Sequence, residues 1–277
     1  MMTYGKSKPW VVVGDCVTGA IHIRQERICQ DAIYIHSCNA NNAKYALACV
    51  ADGHGSASCP YSDEGAKIAV DLVGKLLSGI LEDDTDPLTT LSAHKDIWLP
   101  KQIETHWKEA VKSTHALKWR KESENQETQG KFPYILYGTT LLALVATDSF
   151  IFALQIGDGN MLIVDQDGSA RPILSNTEGL TSIGEDTESL CMDEAWKYIQ
   201  TQIIPWDENS NGMFLLSTDG YANSFTDTKG FIKAGADFHR IWQEEGHEYI
   251  RDNLLEWLRQ SSDRGSGDDI ALALIAR

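Results

Sequence analysis

The segment Tyr45-Ala46-Leu47-Ala48-Cys49-Val50-Ala51 is apolar on both faces and stops on Asp52-Gly53-His54-Gly55. A half-solvated strand would alternate, so this one reads as a strand inside a layered core, and it delivers Asp52 at its end. Gly53 and Gly55 allow φ > 0 and close approach of the backbone to a ligand; Asp52 offers a hard oxygen and His54 a titratable ring. Taken alone, Asp-Gly-His-Gly is a weak motif that reads first as a polar turn after a strand, because turns favour these residues. Its weight depends on what the rest of the chain brings to it.

A helix follows the turn. Ser62 can cap it, Asp63 and Glu64 suit its first turn, and Ala69, Leu72, Val73, Leu76, Leu77 and Ile80 form its apolar stripe. Ahead of the turn, residues 10–15 and 21–23 read as short strands, 24–30 as a connection and 31–36 as a third strand. Beyond an acidic loop at 82–86, a second amphipathic helix carries Ile103, Trp107, Ala110, Val111, Thr114 and Leu117 on one face. His106 and His115 lie on or near it without partners at metal spacing, and 121–131 reads as a solvated loop.

From Tyr134 the pattern becomes strands on tight turns: 138–146, Phe150–Ile156 and 161–164, a β-meander whose Phe150, Phe152, Leu154 and Ile156 make the better-buried face. Residues 175–197 lack periodicity and are expected to form a surface flap. Strands resume at 198–205 and 212–217. Helices follow through Phe238, Ile241 and Trp242 and through Ile250, Leu254, Trp257 and Leu258, then a polar turn at 261–267 and a last strand at 270–275.

A chain of 277 residues with this apolar content is expected to be one domain, 1–277. It has no run of eighteen apolar residues and no apolar signal core near its start, so it reads as soluble and cytoplasmic, with no membrane partner. Cys16, Cys29, Cys38, Cys49, Cys59 and Cys191 include no C-x-x-C pair, which favours free thiols over a disulfide frame or a zinc site. A formal net charge of −16 argues against nucleic acid, whose phosphates are bound by lysine and arginine.

Four aspartates, Asp52, Asp158, Asp219 and Asp268, stand where an apolar strand meets a glycine-containing turn. If those strand ends converge, the carboxylates require compensating positive charge. Oxygen donors without a cysteine or histidine cluster suit hard divalent ions, Mg²⁺ or Mn²⁺, and two such ions would activate a water and clamp a phosphoryl oxygen.

The ordered set Cys29-Gln30-Asp31, Ala51-Asp52-Gly53-His54-Gly55, Gly138-Thr139-Thr140, Ile156-Gly157-Asp158-Gly159-Asn160, Leu216-Ser217-Thr218-Asp219-Gly220 and Gly267-Asp268-Asp269-Ile270 covers nearly the whole chain. It resembles the metal-dependent, type 2C serine/threonine protein phosphatases, and among them bacterial-type catalytic domains with Cys-Gln-Asp in the first motif. The resemblance implies an α+β fold in which two antiparallel β-sheets pack as a sandwich flanked by helices on both sides. It implies two Mn or Mg ions and a phosphorylated protein as substrate, cleaved at phosphoserine or phosphothreonine by a water between the ions. Asp52 would bridge both ions and Gly53 would offer its carbonyl; Asp219 and Asp268 would complete one ion, and Asp31 would hold ion-bound water. Asp158 with Asp219 would form a weaker third position, and His54 would be the general acid. Two departures stand out. The family usually has an arginine where Glu26 stands, which leaves Arg24, Arg27 or His22 to grip phosphate, and Gln30 replaces a frequent glutamate. These departures leave open a weak or inactive metal-binding interaction module, or a phosphatase of small molecules.

Overall fold

The computed structural model describes residues 8–40, 43–119, 132–174, 187–207 and 210–277. Among these are ten strands: β1 (Val11–Val17), β2 (Ala32–Ala40), β3 (Ala43–Ala51), β4 (Leu141–Thr147), β5 (Phe150–Ile156), β6 (Asn160–Val164), β7 (Ala170–Pro172), β8 (Gln200–Pro205), β9 (Met213–Ser217) and β10 (Ile270–Ala276). The helices are α1 (Ala20–Arg24), α2 (Ser62–Asp83), α3 (Pro87–His94), α4 (Trp98–Trp119), α5 (Asp219–Ala222), α6 (Thr228–Glu245) and α7 (His247–Arg264). The strands form two antiparallel sheets, ordered β1-β10-β9-β6-β7 and β2-β3-β4-β5-β8.

Strand alternation explains why the central strands are apolar throughout. Tyr45, Leu47, Cys49 and Ala51 of β3 join a core shared with α2 and α4, while Ala46, Ala48 and Val50 face the other sheet. In β10, Ala271, Ala273 and Ile275 point into that same space between the sheets, and Ile270, Leu272 and Leu274 pack with Phe238, Trp242, Leu254 and Leu258 of α6 and α7. Three stacked cores therefore separate four layers, αββα, as the α+β expectation required. Fully buried Trp107 anchors α4 to α2, its Nε1 donating to the Gly65 carbonyl at 3.0 Å.

Several local expectations are corrected. Residues 21–23 are helical, not a strand. The Gly19 N–H donates to Asp269 Oδ1 and the Ala20 N–H to Ser262 Oγ, and the Ile21 N–H donates to the Gly267 carbonyl, so no strand partner is needed. Ser62 is the buried first residue of α2 and Tyr61 holds the capping position, without a side-chain bond. An extra helix, α3, follows the acidic loop; its signal was the pair Asp86-Pro87, with the Asp86 carboxylate accepting from the Thr89 N–H at 3.2 Å. Leu117 is 69% exposed, because the buried stripe of α4 ends at Val111 and His115 turns to Phe132 and Tyr137 instead.

The meander is split: β4 and β5 pair in one sheet, whereas β6 pairs with β7 and β9 in the other, the chain crossing at Gly157 (φ 98°). Both faces of β5 are buried, since each meets a different core. Helix α7 runs on to Arg264 through part of the expected polar turn. Of the expected flap, 175–186 lie outside the described residues. In the remainder, Leu190 and Ala195 are buried and the Leu190 N–H donates to the Thr139 carbonyl. The polar loop 121–131 also lies outside the described residues.

Candidate metal centre and active site

Asp52 leaves the end of β3 on a backbone held from one side by the residues that precede β4. Its N–H donates to Thr140 Oγ1, and its carbonyl accepts from the Thr140 N–H and from Thr139 Oγ1, each at 2.9 Å. Next, the Gly53 N–H donates to the Gln30 carbonyl at 3.1 Å and the His54 N–H to the Gly138 carbonyl at 3.2 Å. Gly53 does not take positive φ. It is glycine because a Cβ would stand 2.7 Å from the Ser62 carbonyl oxygen and 2.8 Å from that of Gln30; Gly55 is the residue with positive φ, 61°. The His54 ring lies over Gly138, where a Cβ would come within 2.6 Å of its Cδ2.

Around this turn the structure brings the other predicted carboxylates. Asp219, opening α5 after β9, is hydrogen-bonded through its side chain to Asp52 and accepts from Asn223 Nδ2 at 2.9 Å. Asp31, buried at the start of β2, accepts from Thr218 Oγ1 at 2.6 Å, and that hydroxyl in turn accepts from the Ala271 N–H. Asp158 is exposed on the crossover between sheets and accepts from Thr187 Oγ1 at 2.9 Å. Asp268 is exposed before β10, its Oδ1 accepting from the Asp269 N–H.

Electrostatics tie these groups into one cluster. Burial, and then the charges of Asp31 and Asp219, push the Asp52 carboxyl well above the ordinary carboxylate range. Burial also raises Asp31 against the opposing Thr218 hydrogen bond, with Cys29, Asp269 and Asp268 adding to the rise. Burial and then Asp158 raise Asp219, while its bonds to Asp52 and Asn223 act the other way. Two carboxyls bonded to each other titrate as a pair, so the proton between Asp52 and Asp219 belongs to both. No lysine or arginine is among the main influences on these three groups.

Does the donor set fit hard divalent ions? Its chemistry does, being oxygen-rich, crowded and short of positive charge. Among the described residues, however, no three histidine, cysteine, aspartate or glutamate side chains are placed to hold one ion together, so the convergence is pairwise. A surface cleft of about 610 Å³ beside Asp165, Trp206 and Asn211 shares no residue with the cluster.

The basic candidates separate. Arg27 Nη2 donates to the Gly55 carbonyl and, at 3.2 Å, to Gln30 Oε1, so it lies against the Asp-Gly-His-Gly turn. Gln30 is thereby engaged by Arg27 and, through Nε2, by Ser62 Oγ at 3.1 Å. Arg24 is exposed in the last turn of α1, and Glu26 takes left-handed φ, 56°. His22 Nδ1 stands 2.9 Å from Asp269 Oδ1, which makes it a neighbour of a buried carboxylate.

Asp269 is the organising residue that sequence reasoning missed. Its two oxygens accept from the Gly19 N–H at 2.6 Å and from the Gln30 N–H at 2.7 Å, joining the segments before α1 and β2 to β10. The doublet Asp268-Asp269 was visible, but nothing in its spacing told the exposed carboxylate from the buried one. Thr139, Thr140 and Thr218 were legible only as motif companions, because a hydroxyl bonding a distant backbone leaves no periodic signal.

A family model for protein phosphatase 2C matches residues 18–259, a span that takes in Asp31, Asp52, Asp158 and Asp219 but stops short of Asp268. The fold is similar to a serine/threonine phosphatase of S. agalactiae (17% identity, covering 96% of this chain and 99% of that one, TM-score 0.57). It is similar too to serine/threonine phosphatase Stp1 of Staphylococcus aureus (17%, 100% and 98%, 0.58) and to RsbX, solved in complex with magnesium (14%, 100% and 99%, 0.55). No curated protein matches the chain by sequence. With a two-sheet, helix-flanked fold and a family match over most of its length, the chain belongs to the protein phosphatase 2C family.

Proposed function

We propose that the chain is a divalent-metal-dependent phosphatase that removes phosphate from phosphoserine and phosphothreonine of proteins. The observation that carries this reading is the mutual electrostatic influence of Asp31, Asp52 and Asp219, to which Asp158 and Asp268 add, without a cationic side chain among the main influences on the three that are shifted. Asp52, the Gly53 carbonyl, Asp219 and Asp268 would hold two Mn²⁺ or Mg²⁺ ions, with Asp158 and Asp219 offering a weaker third position. Bound ions would neutralise charge on the phosphoryl oxygens and lower the pKa of water. Asp31, fixed by Thr218, orients water at the cluster. Arg27 presents its guanidinium to the phosphate oxygens at the mouth of the turn, and Arg24 adds charge from α1. His54, held over Gly138, gives a proton to the departing serine or threonine oxygen.

A weakly active, metal-binding interaction module is the second reading. It is favoured by Glu26 at the position of the usual arginine and by the engagement of Arg27 with Gly55. Turnover of an aryl phosphate and of a phosphothreonine peptide in Mn²⁺ or Mg²⁺ decides between them. Metal-dependent turnover of both, lost in Asp52→Asn, supports the first reading; none in any divalent metal supports the second.

A further inference from the structure

Two thiols with no part in the proposed phosphate chemistry lie together behind the Asp31 segment. Cys16 on β1 and Cys29, two residues before Asp31, stand with their sulfurs 3.6 Å apart. Both are partly exposed, unlike the buried Cys49 and Cys59, and all six cysteines are free thiols. The two sulfurs sit on backbone of different character. Cys16 is in the β1–β10 ladder, opposite Ala271; Cys29 lies between α1 and β2, outside any ladder, its Sγ 3.6 Å from the Val17 carbonyl oxygen and 3.8 Å from that of Asp31. One sulfur is therefore anchored, and the other rides on an irregular segment that can carry it the remaining distance to a covalent bond of about 2.05 Å.

We propose that Cys16 and Cys29 form an oxidation site that takes a hydroperoxide and closes to a disulfide. In the first step Cys29 sulfur attacks the peroxide: an S–O bond forms, the O–O bond breaks, the departing oxygen takes the Cys29 thiol proton and leaves as an alcohol or water, and Cys29 becomes a sulfenic acid. In the second, Cys16 sulfur attacks Cys29 sulfur, the S–S bond forms, the S–O bond breaks and water leaves with the Cys16 proton. The dithiol gives up two electrons and the peroxide takes them. Gln30, next in the chain, donates its N–H to Asp269 and accepts the Gly53 N–H, so a shift of Cys29 toward β1 reaches both the Asp269 hub and the Asp52 turn. Resting on the phosphatase reading above, the disulfide form has a displaced Asp31 anchor and lowered activity, restored by a thiol reductant.

The test uses the full chain treated with hydrogen peroxide, alkylated and mapped by mass spectrometry without reduction. The expected result is a Cys16–Cys29 linked peptide, a fall from six free thiols to four, and reversal by dithiothreitol. In Cys16→Ser, a sulfenic-acid probe should label Cys29. Absence of the linked peptide in the wild-type chain, or dominance of another pairing, overturns the site whether or not the variant folds. With the linkage established, at least a fivefold fall in aryl phosphate turnover, recovered on reduction, is the expected consequence. Unchanged turnover overturns that consequence alone. No turnover before oxidation overturns the phosphatase reading, while the linkage map still decides the thiol pair.

Discussion

The acidic turn and the basic segment facing it are built to different standards. Asp52, Gly53 and His54 are bonded through their backbone to Thr139, Thr140, Gln30 and Gly138, at the end of a strand buried on both faces. Arg24, Glu26 and Arg27 sit on a five-residue helix and the irregular chain after it, all exposed, with Glu26 in left-handed backbone. Like charges at close range need a scaffold that cannot relax away from them, and only the sheets supply that. Phosphate is bulkier, arrives from solvent and tolerates an adjustable guanidinium. On the proposed function, the contrast implies that the metal-binding carboxylates are fixed by the fold, whereas the phosphate contact falls on the adjustable segment.

The largest effect should fall on the rigid side. Asp52→Asn is expected to lower kcat/KM on an aryl phosphate by at least ~10³-fold, several kcal/mol of barrier, with unchanged circular dichroism. A loss below tenfold would break the contrast. His54→Ala should cost about 10²–10⁴-fold on alkyl phosphates and clearly less on aryl phosphates, whose leaving groups need no proton; equal losses would remove His54 as the acid. On the adjustable side, Arg27→Ala should raise KM about tenfold with little change in kcat, as one charge-assisted contact warrants. Arg24→Ala should do less, and the reverse order would move the grip to α1.

Thr218→Val tests the scaffold itself. It leaves Asp31 buried without its 2.6 Å bond and should cost about 1–3 kcal/mol in denaturant unfolding. The smallest effect is on pH dependence. Asp31, Asp52 and Asp219 bind protons more tightly folded than unfolded, so the metal-free chain gains from them at low pH. That gain is lost as pH rises from the ordinary value of 3.8 through the raised folded values. The melting temperature of the metal-free protein should therefore fall as pH rises above 3.8, and less so in Asp52→Asn. A difference of about 2–4 °C corresponds to 1 kcal/mol in a domain of this size.

Much of this was legible because burial writes itself as period. The uninterrupted apolar run of β3 announced a strand covered on both sides, and the stripes of α2, α6 and α7 announced the outer layers. What periodicity cannot say is which sheet a strand joins, so the crossover at Gly157 was read as a plain hairpin turn. Nor does it show a helix whose start is made by distant acceptors: α1 was taken for a strand because Asp269, Ser262 and Gly267, which satisfy its first donors, lie some 240 residues away. Around the Asp52 turn, the aspartates at strand ends could be named in advance as candidates. The hydroxyls and the Asp269 carboxylate that aim them could not, because long-range side-chain bonds depend on the assembled layers.

The central claim is that the clustered carboxylates are made for divalent cations. Calorimetric titration of the metal-free chain with Mn²⁺ at pH 7.5, beside Asp52→Asn, tests it without relying on any substrate. Saturable binding of two ions per chain, raising the melting temperature and lost in the variant, is the predicted result. No saturable binding, or binding that Asp52→Asn leaves intact, would contradict it.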